Sequence, residues 1–303
     1  MRGSSGSRQS GRLRQSLLAA ILLGATGCAA RLPALPGGPG TPLADYAAAY
    51  AQATERCRGV RTFAGVLNLS GRVSGTRIRA RIDAGFASPG RIRLEGLPPA
   101  LAFGRPIFVL VGEPDGAMLV LPRDKRVLTG EPTERIIEAL AGVELTAEEL
   151  RAVVSGCGFG LVEPQGASAY ENGWIAVQAP VTTTWLRNTE GSWQPLAAVR
   201  GPVEIRYEEF SGAYPSRIRI RTAPVDSGTR ADLTFRVSDA DINIELGPEV
   251  FRVDVPADAT PLTLDELRQS RPGSSNESPS LDVQPPAADR GQAATHRHSA
   301  LAP

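Results

Sequence analysis

Between residues 76 and 97 the chain reads TRIRARIDAGFASPGRIRLEGL, with apolar and charged residues alternating on either side of a Ser-Pro-Gly break. Ile78, Ala80, Ile82, Ala84 and Phe86 share one parity; Arg77, Arg79, Arg81 and Asp83 share the other. Successive side chains of an extended chain point to opposite faces, so this period predicts strands with one dry and one wet face. The pattern resumes at Ile92 and Leu94, opposed by Arg91, Arg93 and Glu95, and again in RIRIR at 217–221.

Similar runs predict strands at 62–71, 76–86, 91–97, 105–111, 116–122 and 125–129, then at 172–179, 182–188, 192–200, 202–210, 216–223 and 231–237. The turn signals between them are short, EPDG at 113–116 for example, which predicts antiparallel neighbours. Helical spacing comes first: Leu43, Ala47, Tyr50, Cys57 and Val60 fall near one face, with Thr41 as N-cap and Pro42 at the first helical position. Two more helices, 131–143 and 146–156, divide the strand runs. The second opens with a capping box from Thr146 to Glu149 and stops at Gly156, and a further box from Thr263 to Glu266 starts a short terminal helix.

The class is therefore α+β. About a dozen strands in one sheet cannot lie flat and must curl, close or split. The dry faces of a curled sheet form an apolar trough, and the short helices are its available cover. IFVLV (107–111) and MLVLP (118–122) are apolar on both faces, as strands beneath a lid would be. A lid that packs fully leaves no cavity; one that packs loosely leaves room for an acyl chain, with binding and release set by lid opening.

The ends of the chain read differently. Arg2, Arg8, Arg12 and Arg14 precede LLAAILLGA (17–25), an apolar run too short to span a bilayer as a mature helix, and ATGC follows, ending at Cys28. This resembles the bacterial lipoprotein lipobox. The resemblance implies a signal peptide over 1–27, diacylglycerol on the Cys28 thiol, and a fatty acyl group such as palmitate on the new amine. Ala29, which is not aspartate, favours the outer membrane by the same resemblance. Residues 28–40 are then a Pro/Gly linker, 41–270 the folded domain, and 271–303 a disordered tail rich in Pro, Ser and Ala.

Composition removes several chemistries. A formal net charge of +1 argues against nucleic acid as a partner. Both histidines, His296 and His298, lie in the tail, which excludes a histidine triad or histidine metal site from the domain. GCGFG (156–160) lacks the Lys-Ser/Thr of a phosphate loop and follows a helix. The paired acids Glu148/Glu149 and Glu208/Glu209 sit where solvation accounts for them. No catalytic residue, cofactor or metal is expected, and the chain does not read as an enzyme. Cys57 and Cys157 are either a disulfide of an oxidising compartment or two buried thiols. Trp174, Trp185 and Trp193 either pack the sheet or line an acyl pocket.

TFAGVLNLSG, FASPGRIRLEGL, GVELTAEELRAVVSGC and PVEIRYEEF followed by YPSRIRI together resemble the LolA/LolB lipoprotein-carrier superfamily, which includes actinobacterial lipid-binding lipoproteins; the resemblance covers roughly 45–255. It implies an unclosed antiparallel half-barrel of eleven strands, lidded by short helices, with an apolar cavity for acyl chains. Ile78, Ile82, Phe86, Ile92, Leu94 and Phe108 are the candidate ligand-binding residues. LPPALAFG (97–104) offers Leu97, Leu101 and Phe103 where a connection is normally polar. The resemblance makes it a membrane- or cargo-touching tip; folding back onto the core is the alternative. The implied function is lipid or lipoprotein transfer at the periplasmic face of the outer membrane. The implied partners are acyl chains, the membrane itself through the N-terminal lipid, and a periplasmic carrier protein that delivers cargo. The alternative is a structural envelope lipoprotein, a scaffold whose sheet packs on a partner without any cavity.

Overall fold

The computed structural model describes residues 34–98, 105–223 and 230–270. Fifteen strands form one sheet: β1 (Thr41–Pro42), β2 (Thr62–Val73), β3 (Thr76–Ala87), β4 (Arg91–Leu97), β5 (Phe108–Glu113), β6 (Gly116–Leu121), β7 (Arg126–Glu131), β8 (Gly166–Tyr170), β9 (Trp174–Gln178), β10 (Thr183–Thr189), β11 (Ser192–Arg200), β12 (Val203–Ser211), β13 (Tyr214–Thr222), β14 (Ala231–Ile242) and β15 (Thr260–Pro261). The helices are α1 (Ala47–Arg58), α2 (Thr133–Ala141), α3 (Ala147–Ser155) and α4 (Leu264–Gln269).

The spatial order runs from β1 through β8 to β14, then from β2 to β7, and ends at β15. Each strand run is a meander, and β14 joins the two by pairing with β2. Every pair is antiparallel except β15 with β7. The outermost strands do not meet, so the curled sheet stays unclosed.

The count corrects both the dozen strands read from the pattern and the eleven implied by resemblance. The three additions are short and defined by pairing. β8 is GASAY, with no branched or alternating signal to read. Thr41 and Pro42, expected to start a helix, form edge strand β1 instead, and α1 begins at Ala47. An edge tolerates proline because its missing N–H would face outward, and the next amide, that of Leu43, bonds the Ala167 carbonyl. Both capping boxes are present, at Thr146–Glu149 and Thr263–Glu266. Glu266, which accepts from the Thr263 amide and from Arg126, has its carboxyl held at about 2 by those bonds.

The main core lies between the inner face of the sheet and α2, α3 and α4. Ile136 and Ile137 of α2 and Val153 and Val154 of α3 enter a cluster with Phe86, Ile92, Leu110 and Leu119. Burying each such side chain contributes about 1.5–3 kcal/mol. Helix α1 covers the far wing, with Ala49, Tyr50 and Ala53 against Ile175, Val177 and Leu186. On the outer face the segment after β14 crosses back over β4: Phe251 is buried beneath the Arg91 guanidinium, and Arg93 donates to the Val250 and Arg252 carbonyls.

A disulfide joins Cys57 at the end of α1 to Cys157 just after α3, with Cα atoms 5.7 Å apart and a sequence separation of 100. It ties the two helical covers together. Replacing both cysteines with alanine is expected to lower unfolding stability by about 2–4 kcal/mol. Denaturant midpoints measured with and without reductant check this, and an unchanged midpoint would remove the disulfide from the account of stability.

Candidate acyl-chain trough

Register assigns every strand residue to a face. Leu67 pairs with Ile82, Leu69 with Ala80, Gly71 with Ile78, and Phe63 with Phe86. Continuing across, Phe235 lies opposite Leu69, and Ile218 opposite Phe235. In the other direction Leu94 pairs with Ala84 and with Leu110, and Phe108 pairs with Gly96. These residues form the inner, apolar face.

The six residues read from the sequence all lie on this face, but in two environments. Ile82, Phe86, Ile92 and Leu94 are buried in the core cluster. There the space is filled by the protein itself: Phe63, Phe86, Ile92, Leu110, Leu119, Ile136 and Leu145 are each less than 2% exposed. Ile78 and Phe108 are only half-buried, and Leu69, Ala80, Leu121 and Phe235 share that state. Beyond the helices, then, an apolar stripe continues across β14, β2, β3 and β5 without full cover. Gly96 shapes it. A Cβ there would lie 2.2 Å from the Phe108 ring, so the aromatic ring rests directly on the glycine backbone.

Of the connection between β4 and β5, Leu97 is buried at the end of β4, whereas Leu101 and Phe103 lie outside the described residues, as does Cys28.

The cover over the filled end is pinned by polar contacts. Glu148 of α3 accepts the Gly90 amide at 2.6 Å and pairs with Arg151, which also reaches the Val60 carbonyl. Burial works to raise the Glu148 pKa, but the Gly90 amide and Arg151 outweigh it and the net direction is downward. Glu149 pairs with Arg200, whose guanidinium lies 4.4 Å over the Phe159 ring. Tyr207, fully buried, accepts the Gly158 amide at 2.8 Å, and burial pushes its phenol well above the ordinary value. Gly158 has φ of +60° and a Cβ on it would meet Ala198 at 2.6 Å, so only glycine fits. In GCGFG, which lacks the residues of a phosphate loop, Gly158 serves this close approach.

The paired acids are likewise occupied. Glu208 and Glu209 both bind Arg217, at 2.8 and 2.9 Å. Among the described residues no group of three His, Cys, Asp or Glu side chains is placed to hold a metal ion, and no helix is long and apolar enough to cross a membrane.

The tryptophans do not line the trough. Trp185 pairs with Ala197, which pairs with Arg206 of the outer face. Trp174 and Trp185 stack edge-on at 6.3 Å on that outer side, with Tyr170 and Leu35. Trp193 packs beside α1. Leu35 belongs to the stretch read as linker, so the chain already lies on the sheet there. Between it and β8–β10 opens a cleft of about 790 Å³, lined by Pro36, Gly40, Tyr170, Glu171, Trp174 and Arg187. No signal in the sequence pointed to it.

No family model and no curated protein matches the chain. Several solved structures are similar to the chain. One is a LolA superfamily protein from Nitrosomonas europaea, 12% identical, with TM-score 0.48, covering 68% of this chain and 96% of that one. A DUF1329 family protein from Desulfovibrio piger is 12% identical at TM-score 0.43, covering 68% and 96%. The Mycobacterium tuberculosis lipoprotein LppX is 11% identical at TM-score 0.29, covering 66% and 97%.

Tyr207→Phe removes the acceptor of a buried amide and nothing else. The expected cost is about 1–3 kcal/mol, read as a fall of roughly 2–4 °C in Tm per kcal/mol for a domain of this size. A Tm unchanged within error would show that the bond does not hold the α3 cover in place.

Proposed function

We propose that this chain is an envelope lipoprotein that binds acyl chains along the uncovered end of its inner sheet face. The observation that carries the reading is the half-buried stripe of Leu69, Ile78, Ala80, Phe108 and Phe235, in register and continuous with the core. Aqueous exposure of such a stripe is unfavourable, at about 25 cal/mol per Å², and a hydrocarbon chain laid along it relieves that cost. Ile82, Phe86, Ile92 and Leu94 form its floor at the covered end. With α3 pinned by Glu148, Glu149 and the disulfide, entry is from the open end; the lid need not lift. Binding and release require no covalent step, catalytic residue or cofactor.

In this reading Cys28 carries the lipid that tethers the domain at the outer membrane, the 97–104 connection with Leu97, Leu101 and Phe103 touches membrane or cargo, and a periplasmic carrier delivers lipid or lipoprotein. The scaffold alternative draws on the filled space beneath α2 and α3 and predicts no ligand.

Titration of the full chain with a fluorescent fatty acid separates the two. Ile78→Glu and Phe235→Glu each place a charge on the stripe and are expected to weaken binding at least tenfold. Val181→Ala, at an exposed apolar position elsewhere, is expected to change nothing. No uptake by the parent chain, together with no co-purified lipid in native mass spectrometry, would leave the scaffold. Separately, metabolic labelling with palmitate is expected to mark the parent chain and to be lost in Cys28→Ser; label retained in that variant would refute acylation at Cys28.

A further inference from the structure

The outer face of the same strands carries an unusual charge arrangement. Three cross-strand rows run over β12, β13, β14, β2 and β3. The first reads Glu204, Arg221, Asp232, Arg72, Arg77; the second Arg206, Arg219, Thr234, Ser70, Arg79. The third holds Glu209, Arg217, Arg236, Asn68 and Arg81, with Glu208 in the adjacent bulge. Nine arginines therefore face four carboxylates, in a chain whose formal net charge is only +1.

The imbalance concentrates at one end. On the β12–β13 side the carboxylates are taken: Asp232 by Arg219 at 2.7 Å, Glu204 by Arg206 at 3.3 Å, and Glu209 by Arg217 at 2.9 Å. On the β2–β3 hairpin Arg72, Arg77 and Arg79 are exposed and form no ion pair with a described residue. Arg72 and Arg77 are directly opposite each other, a like-charge pairing that weakens a ladder. Ser70 and Thr234, also directly opposite, place hydroxyl groups between these arginines and Arg219.

We propose that the arginine face of the β2–β3 hairpin binds the anionic headgroups of a lipid bilayer. The proposal rests on the reading that places the domain at a membrane. What selects a bilayer over an acidic protein is the trough on the opposite face of the same two strands: Leu69, Ile78 and Ala80 belong to the stripe read as the acyl-chain site, whose ligand comes from a membrane, so the arginines would hold the open end of that stripe beside the lipid that fills it. The hairpin tip, Ser74–Gly75, is exposed and small.

The test uses residues 28–303 with Cys28→Ser, the form left once the proposed signal peptide is removed, so that neither an acyl anchor nor the basic, apolar leader masks the contact. Vesicles are pure phosphatidylcholine, or phosphatidylcholine with one third phosphatidylglycerol, at physiological salt. The parent is expected to prefer the anionic vesicles. Arg72→Gln/Arg77→Gln/Arg79→Gln is expected to lose about tenfold or more of that affinity with no change on neutral vesicles. Arg56→Gln/Arg61→Gln/Arg135→Gln, with the same net charge and all at exposed positions away from the hairpin tip, is expected to stay within about twofold of the parent. Equal losses in the two triple variants, no preference in the parent, full competition by inorganic phosphate at matched ionic strength, or equally strong binding to soluble polyglutamate would each overturn the proposal. Thermal unfolding confirms that the variants fold. A parallel fatty-acid titration separates the readings: uptake unchanged in the hairpin variant with vesicle preference lost supports headgroup binding. No uptake in the parent with vesicle preference intact fails the acyl-binding reading alone.

Discussion

The physical constraint behind this molecule is a mismatch of lengths. Strands β2, β3 and β14 have twelve residues each, about 40 Å of extended chain. Helices α2 and α3 have nine residues each, about 13 Å. Alternation turns the whole inner face of those strands apolar, and helices a third of their length cannot cover it. The inner face therefore divides into a sealed part, where sheet and helices fill each other's space, and a remainder in which Leu69, Ile78, Phe108 and Phe235 stay half-buried. In the proposed function the ligand site arises from this incomplete cover rather than from a dedicated cavity.

The cover that exists is held by more than apolar contact. Helices of nine residues have little stability of their own, and each is stitched to distant chain. The disulfide reaches α1, Glu148 reaches the β3–β4 turn, Arg200 comes across from β11, and Arg268 of α4 bonds Glu138 of α2 at 3.1 Å. These links have large sequence separations, so they act late, once the sheet has brought the partners together. They also explain why polar residues at the rim of the lid are spent on fastening and not on chemistry: each carboxylate that looked free in the sequence holds an amide or an arginine.

Most of the sheet was legible because period-2 patterning is local. The strands at 91–97 and 192–200 fall where the sequence places them, and both capping boxes and the α+β class do too. What escaped reading was non-local. β1, β8 and β15 exist only because neighbours pair with them, and no composition marks GASAY as a strand. The strand that seemed to start at Arg105 begins at Phe108. Face assignment fared similarly. Alternation put Ile78 and Phe86 on one side correctly, but which of them the helices would cover depends on helix length and placement, which no strand pattern encodes. The tryptophans were ambiguous for the same reason: a residue's face follows from register, and register from the bulge at Trp185–Leu186.

Bulk charge does not describe the outer face of the sheet. A net value near zero describes a chain seen from far off, but at physiological salt charges are screened beyond about 8 Å. Three rows of a sheet, with residues of one face two positions apart along each strand, span roughly 13 Å. A surface resting on those rows feels their arginines and little of the acids elsewhere. Arg72 stands across from Asp232 and helps to hold that carboxyl ionised, but on its other side it opposes Arg77, and that like-charge pairing weakens the ladder. An anion brought against that face reverses the sign of the cost. The same alternation that buries Ile78 and Ala80 on one side necessarily raises Arg77 and Arg79 on the other, so grease and charge arrive at the hairpin together, as consequences of a single two-residue repeat.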